Sequence, residues 1–259
     1  MSRFTRTSRH CCSSGPSALV VLHAAVYQPG WPRLCPGTWA GLAGESKGKH
    51  GEGLAVKVAG LSHVTGISAG YDSSMATRTS GTSAITSVWT WGGNDVGQLG
   101  DGTLTSHSTP ERVTGLPVYI AGISAGGGFT ARLGDSGISA TGGFATVLGT
   151  DGTVWAWGDD SAGQLGNAPS STPVTRPVNT IGAGSRITQL SAGDFHMLAL
   201  KSNGTALAWG ANGSGQLGNG TTTDPAGPVQ VTGLANATQV AAGERFSLAV
   251  HTVPYLLGS

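Results

Sequence analysis

Internal repetition is the feature that most constrains this chain of 259 residues. Two short patterns alternate along it: one ends in Gly-Gln-Leu-Gly, and the other contains Ser-Ala-Gly, or Ala-Ala-Gly in its last copy. The first pattern occupies 88–100, 154–166 and 206–218, and the second occupies 67–77, 123–133, 190–200 and 240–250. The distances between the two patterns give one repeating unit of 50 to 52 residues. Periods of this length are typical of solenoids, propellers and arrays.

One interval is longer than the others, and the sequence shows why. Residues 123–137 and 138–152 are a 15-residue tandem duplication, and removing one copy restores the common spacing. The repeat therefore continues through this region, with one inserted copy.

The local chemistry of each repeat favours strands over helices. Val154 to Trp157 alternate large and small side chains, as a strand does. They follow Asp151-Gly152, a pair favoured in hairpin turns because both of its residues accept a positive φ. The chain contains 44 glycines and only 10% charged residues, a composition that suits many short strands joined by tight turns. We therefore predict an all-β fold, a partial or open β-propeller of about three to four four-stranded blades. Its repeated core is expected to contain Trp91, Leu99, Trp157, Leu165, Trp209 and Leu217.

The order Trp-Gly, Gly-Gln-Leu-Gly, Pro, Val, Ala-Gly and Leu-Ala-Leu resembles the repeat of the regulator of chromosome condensation family, whose members are seven-bladed β-propellers. The resemblance covers about 54–251. It implies that His196 is a structural residue that joins adjacent strands by hydrogen bonds. The chain departs from the family pattern at this position in its other repeats, where Ser73, Phe129 and Phe246 replace the histidine.

Several motifs that suggest catalysis are better explained by the repeat. The stretch 213–218 matches a dinucleotide-binding fingerprint, but its sister repeats lack the first glycine and a turn-rich segment follows it instead of a helix. The segments 66–70 and 122–126 match the nucleophile elbow of hydrolases, yet the last repeat carries Ala241 in place of the serine. No two histidines are closer than 13 residues, so no short pair of metal ligands is present. We therefore predict no catalytic residue, no cofactor and no metal.

The loops that follow each Trp-Gly pair are the candidate binding residues. They carry Asn94, Asp95, Asp159, Asp160 and Asn212. The simpler interpretation is a set of solvated loop residues, and the functional alternative is contact with a partner.

The N-terminal segment differs from the repeats. Residues 1–53 carry a net charge of +4 and all three cysteines, whereas residues 54–259 carry −3. We expect 1–53 to be irregular and either disordered or unrelated to the repeats, 54–251 to form the repeats, and 252–259 to begin a truncated blade. A secretion signal is one interpretation of the start. The composition suits the exterior or surface of a bacterial cell, and a cytoplasmic location is the alternative.

Function is predicted from architecture. A propeller presents variable loops on a rigid disc, so the leading hypothesis is a non-catalytic module that binds protein or glycan. The resemblance implies two alternatives, a guanine-nucleotide exchange factor for a small GTPase and a chromatin-binding protein. The charge of the repeats opposes nucleic-acid binding, and no apolar run is long enough to span a membrane. Seven blades need more residues than this chain has, so we also expect a fragment whose open blade edges promote self-association.

Overall fold

The computed structural model describes residues 57–79, 86–117, 119–127 and 143–252. These residues form strands and turns and no α-helix, and so no helix among them could cross a membrane. Our predictions for 1–53, for Phe129 and for most of the tail at 252–259 concern residues outside this description.

Fourteen strands make up the described fold. They are β1 (Val64–Ala69), β2 (Ser73–Thr79), β3 (Thr86–Gly92), β4 (His107–Arg112), β5 (Ile120–Gly126), β6 (Phe144–Gly149), β7 (Val154–Asp160), β8 (Ser170–Ile181), β9 (Ile187–Ala192), β10 (His196–Lys201), β11 (Ala206–Gly210), β12 (Val229–Gln230), β13 (Ala237–Ala242) and β14 (Ser247–His251).

The strands form antiparallel sheets in chain order, each sheet one blade of a propeller. Blade 1 contains β1–β4, blade 2 contains β5–β8 and blade 3 contains β9–β12, while β13 and β14 form a two-stranded half-blade. The first strands of successive blades, β1, β5, β9 and β13, lie side by side. The predicted fold class, an open propeller of three to four blades, is confirmed.

The hairpin turn at Asp151-Gly152 differs in detail from the sequence expectation. Only Gly152 adopts a positive φ, of +85°, and its amide donates to the carbonyl of Gly149 at 3.0 Å. The turn is therefore a three-residue loop that ends in a left-handed glycine, rather than a two-residue turn with two left-handed positions. Gly204 closes the equivalent turn of blade 3 with a φ of +77°.

The duplicated segment places its two copies on different strands. β5 uses Ser124 and Gly126 of the first copy, and β6 begins at Phe144 of the second copy. Phe144 pairs with Gly158, as His196 pairs with Gly210 and Ser73 with Gly92. Phe144 is therefore the blade 2 equivalent of His196, a position that the sequence pattern assigned to Phe129.

Each pair of neighbouring blades shares an apolar core. Trp157 lies in the core between blades 1 and 2, and Trp209 lies with Leu165 in the core between blades 2 and 3. Leu217 packs with Val240 between blade 3 and the half-blade. All of the residues predicted for the repeated core are at most 2% exposed: Trp91, Leu99, Trp157, Leu165, His196, Trp209 and Leu217.

Candidate interaction surface

The loops after β3, β7 and β11 share one buried frame. At the same position in each loop stand Asn94, Asp160 and Asn212, all of which are fully buried. A side-chain oxygen of each accepts the amide N–H of the leucine five residues later, at 2.9 to 3.0 Å. This bond fixes the Gly-Gln-Leu-Gly turn and directs its leucine into the core.

The two asparagines also hold the second half of their loops. The Asn94 amide donates to the carbonyl oxygens of Thr103 and Thr105, both at 3.1 Å. The Asn212 amide donates in the same way to the carbonyl oxygens of Thr221 and Thr223. Each asparagine therefore ties both halves of a loop of about twelve residues to one point.

Asp160 replaces the asparagine in blade 2. Burial is the main cause that raises the pKa of Asp160, and the neighbouring charge of Asp159 raises it further, while hydrogen bonds from Leu165 and Asn167 act in the opposite direction. Asp159 is 8% exposed and accepts bonds from Gln164 at 2.7 Å and from the Ser161 hydroxyl at 2.8 Å.

The interpretation of these residues as solvated therefore does not fit the structure. Asn94, Asp159, Asp160 and Asn212 are buried and bonded inside their own loops, because polar groups removed from water must find partners within the protein. Of the five candidate residues, only Asp95 is exposed. Partner contact by these loops remains a prediction, and the side chains available for it are those at the loop tips.

The exposed tips differ between the three loops. The first presents Asp95 and Leu104, which is 50% exposed. The second presents Ser161 and Asn167, and the third presents Thr222. A constant frame thus supports tips of different chemistry on successive blades.

The turns of these loops also join one blade to the next. The indole N–H of Trp157 donates to the carbonyl of Gln98 at 2.9 Å, and that of Trp209 donates to the carbonyl of Gln164 at 2.9 Å. A side chain on Gly100 would reach the Trp157 ring at 2.6 Å, so this glycine is needed for the close approach. These two hydrogen bonds therefore attach the loops to the neighbouring blade.

The serines of the elbow-like segments also join neighbouring blades. The Ser68 hydroxyl accepts the amide of Ala125 at 2.9 Å, and the Ser124 hydroxyl accepts the amide of Ala192 at 3.0 Å. Ser191 continues the series by accepting the amide of Ala242. These hydroxyls therefore accept structural hydrogen bonds between neighbouring first strands.

His196 also acts between blades. Ser247 donates its one hydroxyl proton to the Gln216 carbonyl at 2.7 Å, so its oxygen accepts from Nε2–H of His196 at 3.0 Å. Burial lowers the pKa of His196 to about 4, so the imidazole is neutral at pH 7. This hydrogen bond joins β10 to β14 and so links blade 3 to the half-blade.

Comparison with known proteins places this arrangement among characterised repeats. The family model described as "Regulator of chromosome condensation (RCC1) repeat" matches 87–133, 151–200 and 203–250, together more than half of the chain. The human E3 ubiquitin-protein ligase HERC2 is 34% identical over 170 residues, which cover 64% of this chain and 3% of that protein. The mitochondrial RCC1 domain-containing protein RUG3 of Arabidopsis thaliana is 33% identical over 177 residues, which cover 63% of this chain and 36% of that protein.

Solved structures share the fold. Prp20p of Saccharomyces cerevisiae, described together with its binding to Gsp1p and histones, aligns with a TM-score of 0.61 and 22% identity. The alignment covers 75% of this chain and 45% of Prp20p. The chain thus spans less than half the length of these relatives.

Proposed function

Because the chain belongs to the regulator of chromosome condensation repeat family, we propose that it is a non-catalytic module that binds a protein partner through the tips of the loops after β3, β7 and β11. The observation that carries the proposal is the contrast within these loops. Asn94, Asp160 and Asn212 are 0% exposed and hold the same frame, while the exposed residues change from blade to blade. Rigid scaffolds with variable surface loops are typical of recognition.

Two further observations support a protein partner over nucleic acid or a substrate. Residues 54–259 carry a net charge of −3, whereas nucleic-acid binding depends on clustered basic side chains. The serines of the two elbow-like segments accept backbone amides, and a nucleophile would instead need an adjacent base and an oxyanion hole.

The proposal can be tested by crosslinking from the loop tips. A photo-crosslinking amino acid at position 104 should capture a discrete protein in cells that produce the chain. The same amino acid at Val178, an exposed apolar site on β8, is the matched control because it lies on a strand and not on a loop tip. A protein captured at 104 and not at 178 is the expected result. Equal capture at both positions, or none at either, would contradict the proposal.

Point variants then measure the contribution of the tip. Leu104→Asp should weaken binding of the captured protein at least about tenfold, because apolar anchors carry much of the energy of an interface. Val178→Asp should leave the affinity unchanged, and both variants should keep the wild-type melting temperature. If substitutions at Leu104, Asp95 and Asn167 leave the affinity of the partner unchanged, the partner binds elsewhere on the molecule.

A narrower form of the proposal is regulation of a small GTPase by nucleotide exchange. Its support is the shared fold with Prp20p, whose reported partners are Gsp1p and histones. Faster release of bound nucleotide from Gsp1p in the presence of this chain would establish exchange activity, and an unchanged rate would exclude it for that GTPase. Chromatin binding predicts DNA retention that falls steeply with salt, which we do not expect from repeats of this charge.

A further inference from the structure

One side-chain cluster in blade 1 is not needed to form its loop. Asp101, His107 and Glu111 each place one ligand atom within 4.8 Å of the other two. His107 Nε2 lies 3.4 Å from Asp101 Oδ2 and 4.0 Å from Glu111 Oε2. An imidazole nitrogen and two carboxylate oxygens are ligands that Zn²⁺ accepts.

The orientation of the imidazole points its free nitrogen at the two carboxylates. His107 Nδ1 lies 2.9 Å from the carbonyl oxygen of Thr109, which can only accept, so Nδ1 carries a proton. Nε2 is buried and has no hydrogen-bond partner within the part of the chain that the structure describes. Metal-bound histidines show this arrangement, in which one ring nitrogen donates to a fixed acceptor and the other faces the ion.

Asp101 is held in place as well. Its Oδ1 accepts the amide of Thr103 at 2.7 Å and the side-chain amide of Asn94 at 3.3 Å. The buried frame of the loop therefore directs the Asp101 carboxylate toward His107.

The equivalent loop of blade 3 shows that the fold does not require these ligands. Asn219 stands at the position of Asp101, and its oxygen accepts from Thr221 and Asn212 just as Asp101 accepts from Thr103 and Asn94. The same spacing places Pro225 and Val229 at the positions of His107 and Glu111. The loop frame thus repeats, whereas the three ligand side chains together occur in blade 1 and not in blade 3.

We propose that Asp101, His107 and Glu111 form a binding site for one divalent transition-metal ion of the Zn²⁺ type. Zinc bonds of about 2.1 Å place neighbouring ligand atoms about 3.4 Å apart, the distance observed between Asp101 and His107. The Glu111 side chain is 56% exposed and is free to close the remaining gap. The ion would join the loop after β3 to β4 and fix the loop that carries Leu104.

The test is a calorimetric titration of the full chain with Zn²⁺. The three cysteines are first alkylated, because they are potential ligands for the same ion. The comparison is between the wild type, Asp101→Asn, His107→Gln and the control His63→Asn. His63 is an exposed histidine with a φ of 55°, a conformation that asparagine tolerates.

The wild type and the His63→Asn control should bind one equivalent of Zn²⁺. The other two variants should lose this binding or bind Zn²⁺ at least about tenfold more weakly. A tenfold loss is the effect even of residues that only orient a metal ligand. Asp101→Asn should melt like the wild type in EDTA, because Asn219 already occupies this position in blade 3. Zn²⁺ should raise the melting temperatures of the wild type and of His63→Asn, and not those of the other two variants. Equal binding by all four proteins, or no binding by any of them, would overturn the proposed metal site. The three side chains would then form an ion pair only.

Discussion

Blade 3 and the half-blade contain the same repeat, yet their second strands have opposite environments. In β10, Leu198 is 3% exposed and Leu200 is 4% exposed. The equivalent residues of β14, Leu248 and Val250, are 61% and 56% exposed. The difference lies outside the two strands, because β13 packs against blade 3, while no strand among the described residues follows β14.

This difference shows that a blade of this protein is buried by its neighbour and not by itself. The cores lie between sheets, and the bonds from tryptophan to the glutamine carbonyl and from amide to serine hydroxyl also cross from one blade to the next. Stability in such repeats is a sum of unit terms and interface terms. A strand of given sequence is therefore expected to be rigid or labile according to what is packed against its outer face.

The largest effect should come from the aromatic residue at the start of the second strand. Phe144→Ala should lower the free energy of unfolding by about 3–5 kcal/mol, because Phe144 is fully buried. The equivalent change Phe246→Ala should cost about 0.5 kcal/mol or less, because Phe246 is 55% exposed. Urea unfolding of the two variants gives the comparison, and similar losses would show that the half-blade is as well covered as blade 2.

The next largest loss of stability is expected at the leucine of the Gly-Gln-Leu-Gly turn. Leu165→Ala should cost about 2–5 kcal/mol because it leaves a cavity between blades 2 and 3. Leu104→Ala, at an exposed leucine of a sister loop, is the control and should change stability by less than about 0.5 kcal/mol. A loss below that value for Leu165 would refute its place in the core.

The serine link between first strands should contribute a smaller amount. Ser124→Ala leaves the Ala192 amide without its acceptor and should cost about 1 kcal/mol. The reverse change, Ala241→Ser on β13, should add nothing, because no amide of a following blade is available to it among the described residues. Equal effects at the two positions would mean that the hydroxyl acts within its own strand.

The smallest effect should appear as a pH dependence at the edge between blade 3 and the half-blade. Burial, followed by the charge of Glu244, raises the pKa of Asp194 to about 6, while Arg245 acts in the opposite direction. Because this pKa is raised on folding, the contribution of Asp194 is present below pH 4 and is lost as the pH rises through 6. Asp194→Asn should therefore gain stability relative to the wild type between pH 4 and 7, by less than about 1 kcal/mol because the carboxyl is partly exposed.

His196 changes the free energy of unfolding with pH in the opposite direction over part of the same pH range. Its pKa falls to about 4 on folding, so the stability it contributes is present above pH 6.5 and is lost as the pH falls through 4. The difference between the wild type and Asp194→Asn separates the two groups, because His196 is present in both proteins. A difference that does not change with pH would exclude a shifted pKa at Asp194.

The sequence was sufficient for the parts of the fold that repeat in register. Trp157 and Leu165 recur with their neighbours, so the period predicted both the blades and the residues between them. The duplicated segment could not be assigned in the same way, because Phe129 and Phe144 have nearly identical surroundings in sequence. Only strand pairing distinguishes the two phenylalanines.

Polar positions were harder to predict for a physical reason. Asn94 and Asn212 stand in glycine-rich loops, where polar side chains are usually solvated, and their burial depends on the loop folding back over them. The cluster of Asp101, His107 and Glu111 contains a single histidine, so the spacing between histidines gives no sign of it. Its signal in the sequence is a carboxylate six residues before the histidine and another four residues after it.

Native-state hydrogen exchange tests the central claim most directly, because it measures local opening strand by strand. Strand β10 pairs with β9 and β11, whereas β14 pairs with β13 alone, so the comparison is restricted to the amides that bond to the first strand of each sheet. If burial by the next blade determines stability, amides of β10 should exchange at least about tenfold more slowly than those of β14. Equal protection of the two strands would contradict the account, because the half-blade would then be stable without a neighbour on its outer face.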